Sequence, residues 1–518
     1  MVRNVVVGTS KVVNLTSNGR TLASLSRGLC LYCDYKHLSP GIARRKSTAA
    51  DWTNVEFLLM TVGLVALVWV AIVFLRGGLI GGALLVLLVG SCFGSPFYSV
   101  PTGVIPLTAD RLIWFVLAAQ YVVYRQWGWA DPKPLAKTDW LFAALIVVFV
   151  ASTFTHDFKI SGWLPVSQLL FYYLMPAAMY WIARQAAWTQ RQALWLFTAL
   201  GVFGIYLCLT AVAETHQAWA FVFPKYIASP EYHEFFGRGR GPLLNPAGLG
   251  FFMGVCLIAA LMWWPRLNRR RQLMLLVLVL PIFALGAYST LTRSVWMGLA
   301  LGLAIVIALS VPRGWRVAVL GSLAIVSVVG VAVSWEYLYA FKRDKDLSVE
   351  DMAESARLRP ILATVAWHMF EDRPLLGFGF GQYAAESPAY LSDRTSDLPL
   401  EKARPYIQHN VFLCILTETG VLGLGLFVLL LGCWIFDAWQ VWRCVDAPLW
   451  ARQCALLLLG TMGVYVSNAM FHNVSIIPMF NMLFFFLAGV SEAMLPLARA
   501  PKAIRPALRL WTPAAARA

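Results

Sequence analysis

Charged side chains are scarce in this chain. Asp, Glu, Lys and Arg make up 13% of its 518 residues, about half the share of an ordinary soluble domain, and that shortage excludes a soluble globular fold. A signal-peptide pattern is also missing, because the first long apolar run begins only near Val55. Nine cysteines lie mostly inside apolar runs and imply no disulfide framework. Cys30-Leu-Tyr-Cys33 with His37 nearby has a metal-ligand flavour, yet a zinc site needs four ligands and no second pair accompanies it.

What the chain has is hydrocarbon. Hydrophobic residues are 59% of the total and mean hydropathy is +0.66. Runs of about eighteen or more apolar residues, each long enough to cross a bilayer core, recur along most of the length. An open sheet could not satisfy its backbone in lipid, so the expected fold class is all-α, a polytopic transmembrane helical bundle. Spans are expected at about 55-75, 78-98, 104-124, 139-155, 165-183, 191-213, 245-264, 273-290, 294-311, 317-335, 411-436, 453-471 and 476-495. The organisation is then a basic, disordered tail over 1-54, helices over 55-335, a long polar loop over 336-408, helices over 409-495 and a basic tail over 496-518.

A net charge of +16 could suggest nucleic acid, but the Lys and Arg are split among short loops and the two tails instead of forming one basic face. Topogenesis accounts for them better. Arg125 with Lys133 and Lys137, Arg184 with Arg191, the Arg266/Arg269/Arg270/Arg271 cluster, Arg313 with Arg316, and Arg443 with Arg452 fall on alternate connections, which places that side in the cytoplasm. The intervening connections, 336-408 among them, then face outward. Counting backwards puts the basic N-terminal tail outside as well, so an early segment is re-entrant, or one span is miscounted, or translation starts after Met1.

Three outward stretches carry unusual chemistry. In Arg238-Gly-Arg240-Gly-Pro-Leu-Leu-Asn245-Pro246 the glycines permit close backbone approach beside two arginines, which suits an anionic ligand and is equally the composition of a flexible loop with solvated charges. Arg293 opens a helix after the tight Ser289-Thr-Leu-Thr turn, where a cation opposes the helix dipole unless an anion binds; snorkelling to the interface is the structural alternative. In the long loop, Glu354 to Phe370 has apolar residues at helical spacing and reads as an amphipathic helix lying on the membrane. Asp372-Arg-Pro374-Leu-Leu-Gly377-Phe-Gly379 ends it, and His409-Asn410 follows at the mouth of the next span. A histidine there exchanges protons near neutral pH, though such a residue also serves as a cap.

These stretches together resemble one family. His409-Asn410, nine residues, then Gly420-Val-Leu-Gly423 is similar to the H-[NSQ]-x9-G-x-x-G signature of the O-antigen ligase and polymerase family of bacterial membrane glycosyltransferases. Arg238 through Pro246 resembles its R-x-x-G-[PT]-x-x-N-P segment, and Arg357 through Gly379 its loop helix followed by P-x-x-G-x-G. The likeness covers roughly 235 to 435. One departure stands at the short turn, where the family's ligases show R-x3-L and Arg293 is followed four residues on by Met297.

The resemblance implies a glycosyltransferase C-like fold and transfer of a glycan from a polyprenyl-diphosphate donor to an acceptor hydroxyl, at the periplasmic face of the bacterial inner membrane. It implies no metal, cofactor or nucleotide sugar. The acceptor is a lipid A core, a growing chain, a protein or an exopolysaccharide. Site residues carried over are His409, Arg293 and Arg238 for catalysis, with Arg240, Arg357, Asn245 and Asn410 for binding. The rival reading is a flippase of lipid-linked sugars, which should show internal repeats and charges near the bilayer midplane; the polar residues here concentrate outside.

Overall fold

A computed structural model describes residues 49–100, 106–130, 132–157, 165–312, 349–392, 398–404 and 406–499, with a few positions between 314 and 325. Of 49–62, 349–357 and 478 it describes the backbone alone. Both tails beyond these limits, Cys30, Cys33 and His37, and most of the span expected at 317-335 lie outside the described residues.

The protein is helical almost throughout. The helices are α1 (Ala49–Cys92), α2 (Ala109–Gln126), α3 (Lys137–Phe154), α4 (Pro165–Leu169), α5 (Met175–Gln185), α6 (Gln190–Thr215), α7 (Pro246–Leu261), α8 (Arg269–Met274), α9 (Leu280–Ser289), α10 (Arg293–Ser310), α11 (Val349–Asp372), α12 (Val411–Arg443), α13 (Leu449–Phe471) and α14 (Pro478–Arg499). Single π-turns join α4 to α5 and α8 to α9. The only described strands are a two-residue pair, Ser99–Val100 against Leu107–Thr108. Among the described residues nine helices are long and apolar enough to cross a membrane. Two expected spans run together in α1, which breaks at Gly78 (φ 59°, ψ −154°). The span expected from 104 starts later, because the strand pair occupies the residues before Ala109.

Two helices form the middle of the bundle. In α13 and α14, 83% and 89% of the apolar window is buried, against 28% in α10. Their neighbours are α7, α10 and α12 around α13, and α5 against α14. Aromatic stacking ties the centre together, Phe251 on Phe480 at 3.8 Å and Tyr465 on Phe484 at 3.9 Å between centroids. Such dispersion contacts, with close approach over small residues, are what hold helices together where the surroundings are as apolar as the core.

One end of the bundle is laced by ion pairs. Asp139 accepts from Arg184 (2.9 Å) and from the Tyr180 hydroxyl (2.6 Å), and Arg499 reaches Asp437 at 3.1 Å. Arg266 donates to Gln453 near the start of α13 at 2.5 Å. The opposite end of α13 is where α10, α11 and α12 meet, and it carries the outward stretches singled out above.

The long loop is built differently from its expected form. Helix α11 is amphipathic, with Leu358, Ile361, Leu362, Val365 and Met369 on one face. That face does not lie on the membrane. It is covered by Phe378, Tyr383, Leu391, Leu400 and Ala403 of the same loop, which close a small second core. The loop contains enough apolar residues of its own to bury the stripe, so lipid is not needed for it.

Candidate active site

The glycine-rich end of this loop threads into a break in α12. Gly420, at φ 64° and ψ −165°, interrupts that helix, and an interruption leaves backbone groups without helical partners. Loop residues supply them. The N–H groups of Val421 and Leu422 donate to the carbonyls of Pro374 (2.8 Å) and Leu375 (3.3 Å), while those of Phe378 and Gly379 donate to Thr417 (3.0 Å) and Glu418 (2.9 Å). The approach leaves no space for side chains: a Cβ on Gly420 would stand 2.3 Å from the Leu375 carbonyl carbon, and one on Gly377 2.5 Å from that of Glu418. The two glycine motifs, forty residues apart in the chain, are thus the two halves of one backbone joint.

Glu418 finishes the joint. Its carbonyl accepts from Gly379 N–H, and its side chain lines a cavity of about 40 Å3 with Tyr173, Gln408, Cys414, Asn473 and Ser475. That volume holds a few waters among polar groups. The loop stays in place by its far side too, where Phe380 N–H donates to Ser152 Oγ at 2.9 Å.

His409 stands just above. It is half-buried, and its Nδ1 lies 2.8 Å from the Ile407 carbonyl. A carbonyl only accepts, so Nδ1 is the donor in this pair, and in the neutral ring the lone pair is then on Nε2, the tautomer a proton acceptor needs. Asn410 caps α12. Its Oδ1 accepts from Phe412 and Leu413 N–H, at 2.8 and 3.1 Å, and its Nδ2 donates to the Met470 carbonyl at 3.1 Å. Asn245 does the same for α7, accepting from Ala247 and Gly248. Both asparagines, expected to bind substrate, use their amide oxygens as helix caps.

The arginines divide into distinct kinds. Arg240 is fully buried, with Nε on Glu214 at 2.7 Å, Nη1 on the carbonyls of Tyr232 and Glu234, and Nη2 on that of Ile227. Every guanidinium nitrogen is engaged inside the protein, which corrects the expectation that it meets an anionic ligand. Burial also pushes the Glu234 carboxyl above its ordinary range. Arg238 is buried too, donating to the Thr290 carbonyl at 3.2 Å and to Thr292 Oγ1 at 2.5 Å. It braces the turn that presents Arg293, and Arg293 itself is exposed at the first turn of α10. Arg357 falls on α11, its side chain outside the described residues.

These parts gather on the last turn of α13. Ser294, next to Arg293, bonds to Asn468 (3.3 Å) and accepts from Ser467 (3.2 Å). Asn410, next to His409, bonds to Met470. Arg359 of α11 lies with Cζ 5.3 Å from the centroid of the Phe471 ring. Residues 467 to 471 rise only about 6 Å along a helix, so Arg359 and the residues next to Arg293 and His409 all contact the same end of α13. Arg359 was not singled out in the sequence; helical phase, the signal that selects it over Arg357, needs a known packing partner for α11.

Residues 280–428 match the family model described as O-antigen ligase. The match takes in Arg293, Arg359, the backbone joint and His409, and stops short of the Arg238 stretch. Among curated proteins no match is found. The chain is a multi-pass membrane protein that is similar, over residues 280–428, to the O-antigen ligase family.

Proposed function

We propose that this protein transfers a glycan from a polyprenyl-diphosphate carrier to an acceptor hydroxyl at the periplasmic face of a bacterial inner membrane. The observation that carries this reading is that Arg359 and the residues next to Arg293 and His409 all contact the same end of α13, with all three site residues inside the segment that matches the family. In this scheme the acceptor oxygen attacks the anomeric carbon and its proton passes to His409 Nε2. The bond from that carbon to the diphosphate oxygen breaks, and negative charge collects on the leaving diphosphate. Guanidinium groups hold permanent charge in a fork that fits phosphate oxygens. Arg293 takes that role at the anion, with Arg359 of α11 beside it, and Arg238 fixes the Arg293 turn from behind.

His409→Ala and Arg293→Ala proteins are expected to insert normally and to fail to complete transfer in a host lacking the native gene. Losses of about 10²-fold or more correspond to a missing charge stabiliser or proton acceptor. Wild-type amounts of finished polysaccharide in both variants would remove these residues from the chemistry.

A further inference from the structure

Helix α12 has two different surfaces, and the change falls at Gly420. Between Val411 and Gly420 no residue is exposed. From Val421 onward the exposed positions are Val421, Leu422, Gly425, Val428, Leu429, Gly432, Ile435 and Phe436, with Arg443 at the helix end, a single stripe at helical spacing. On a membrane-crossing helix, an apolar stripe with none of the described residues against it faces lipid.

The stripe continues beyond α12. Leu375 and Leu376 are 74% and 64% exposed, and the bonds from Val421 to Pro374 and from Leu422 to Leu375 fix them beside its first residues. Four large apolar side chains from two segments make one patch, with exposed Asp372 and Arg373 at its rim. An apolar patch with a charged rim marks an interaction surface.

Its depth follows from α3, which runs antiparallel to α12. Phe142 lies 5.5 Å from Trp434 at one level, and Phe380, adjoining the Glu418 level of α12, bonds to Ser152 at another. Twelve residues on from Phe142 is Phe154, the last of α3, itself exposed; twelve back from Trp434 is Leu422. The 18 residues of α3 span about 27 Å, close to the thickness of a hydrocarbon core. Leu422 lies four residues inward of the Glu418 level that Ser152 meets, so Leu422, and with it Leu375 and Leu376, lies within the depth that α3 spans, near its Phe154 end.

We propose that Pro374–Gly377 is a re-entrant wedge whose two leucines are immersed among the bilayer acyl chains of the leaflet on the His409 side, pinning the loop's small core to the membrane surface. The continuity with the lipid-facing stripe of α12 selects acyl chains as the occupant. The proposal does not depend on the reaction assigned above.

The test is nitroxide accessibility in proteoliposomes. The full-length chain, its native cysteines replaced, carries one spin label through Leu375→Cys or Leu376→Cys. Leu429→Cys on the stripe serves as the lipid reference and Glu386→Cys on the loop surface as the water reference. Both wedge positions are expected to collide severalfold more with dissolved oxygen than with a water-soluble nickel chelate, as at 429. Chelate access equal to that at 386 overturns the proposal, and so does shielding from both agents, which indicates a second copy or another protein over the patch.

Discussion

An arginine assists a departing diphosphate only if its fork can reach the anion, and on that ground Arg240 and Arg293 are opposites. Arg240 is buried on Glu214 with all its nitrogens engaged, so Arg240→Ala leaves an uncompensated buried carboxylate, a change that costs about 3–5 kcal/mol. Thermal unfolding in detergent should show a clearly lowered midpoint for Arg240→Ala, while Arg293→Ala unfolds like wild type; equal midpoints for the two would contradict the division. Asn410 gives a second check. If its role is the cap, Asn410→Asp or Asn410→Ser keeps most of the activity and Asn410→Ala lowers stability by about 1 kcal/mol; a large loss of transfer in Asn410→Asp with stability unchanged would point to substrate contact instead. The sequence brought His409, Arg238 and Arg293 forward because an imidazole at a span's mouth and cations on outer turns are unusual by themselves. It could not separate Arg240 from Arg293, since the partner that captures Arg240 lies 26 positions away on another helix.

At the scale of elements, the joint between the loop and α12 has the most consequence. Gly420 and Gly377 each stand where an added Cβ would meet backbone atoms at 2.3 and 2.5 Å, and backbone cannot swing aside as a side chain can. Gly420→Val and Gly377→Val should release the 374–383 segment while leaving the central helices intact. Limited proteolysis would then cut that segment in the variants and spare it in the wild type; equal resistance would mean that the joint tolerates separation. The helices were legible from hydrophobic runs, and α11 from its spacing. The destination of the α11 stripe was not, because a stripe records only that something apolar covers it. The pairing of the two glycine motifs was hidden for a related reason: hydrogen bonds between backbones leave no mark on side-chain pattern beyond the glycines that make room for them.

For the whole molecule, the account joins a buried centre of α13 and α14 to a patch at one end where three connections deliver charge and an imidazole. Ion pairs such as Asp139 with Arg184 stand at the other end, away from that patch. A flippase and a transferase for lipid-linked sugars share apolar helices and cationic sites, and the two part only in what they make. The most direct measurement uses purified protein in liposomes with a polyprenyl-diphosphate-linked glycan and an acceptor, following both covalent product and sidedness of the donor. The account predicts a larger or newly attached glycan together with released polyprenyl diphosphate in the wild type, and neither with His409→Ala. Donor that changes leaflet with no new glycosidic bond, at the same rate in both proteins, would contradict it.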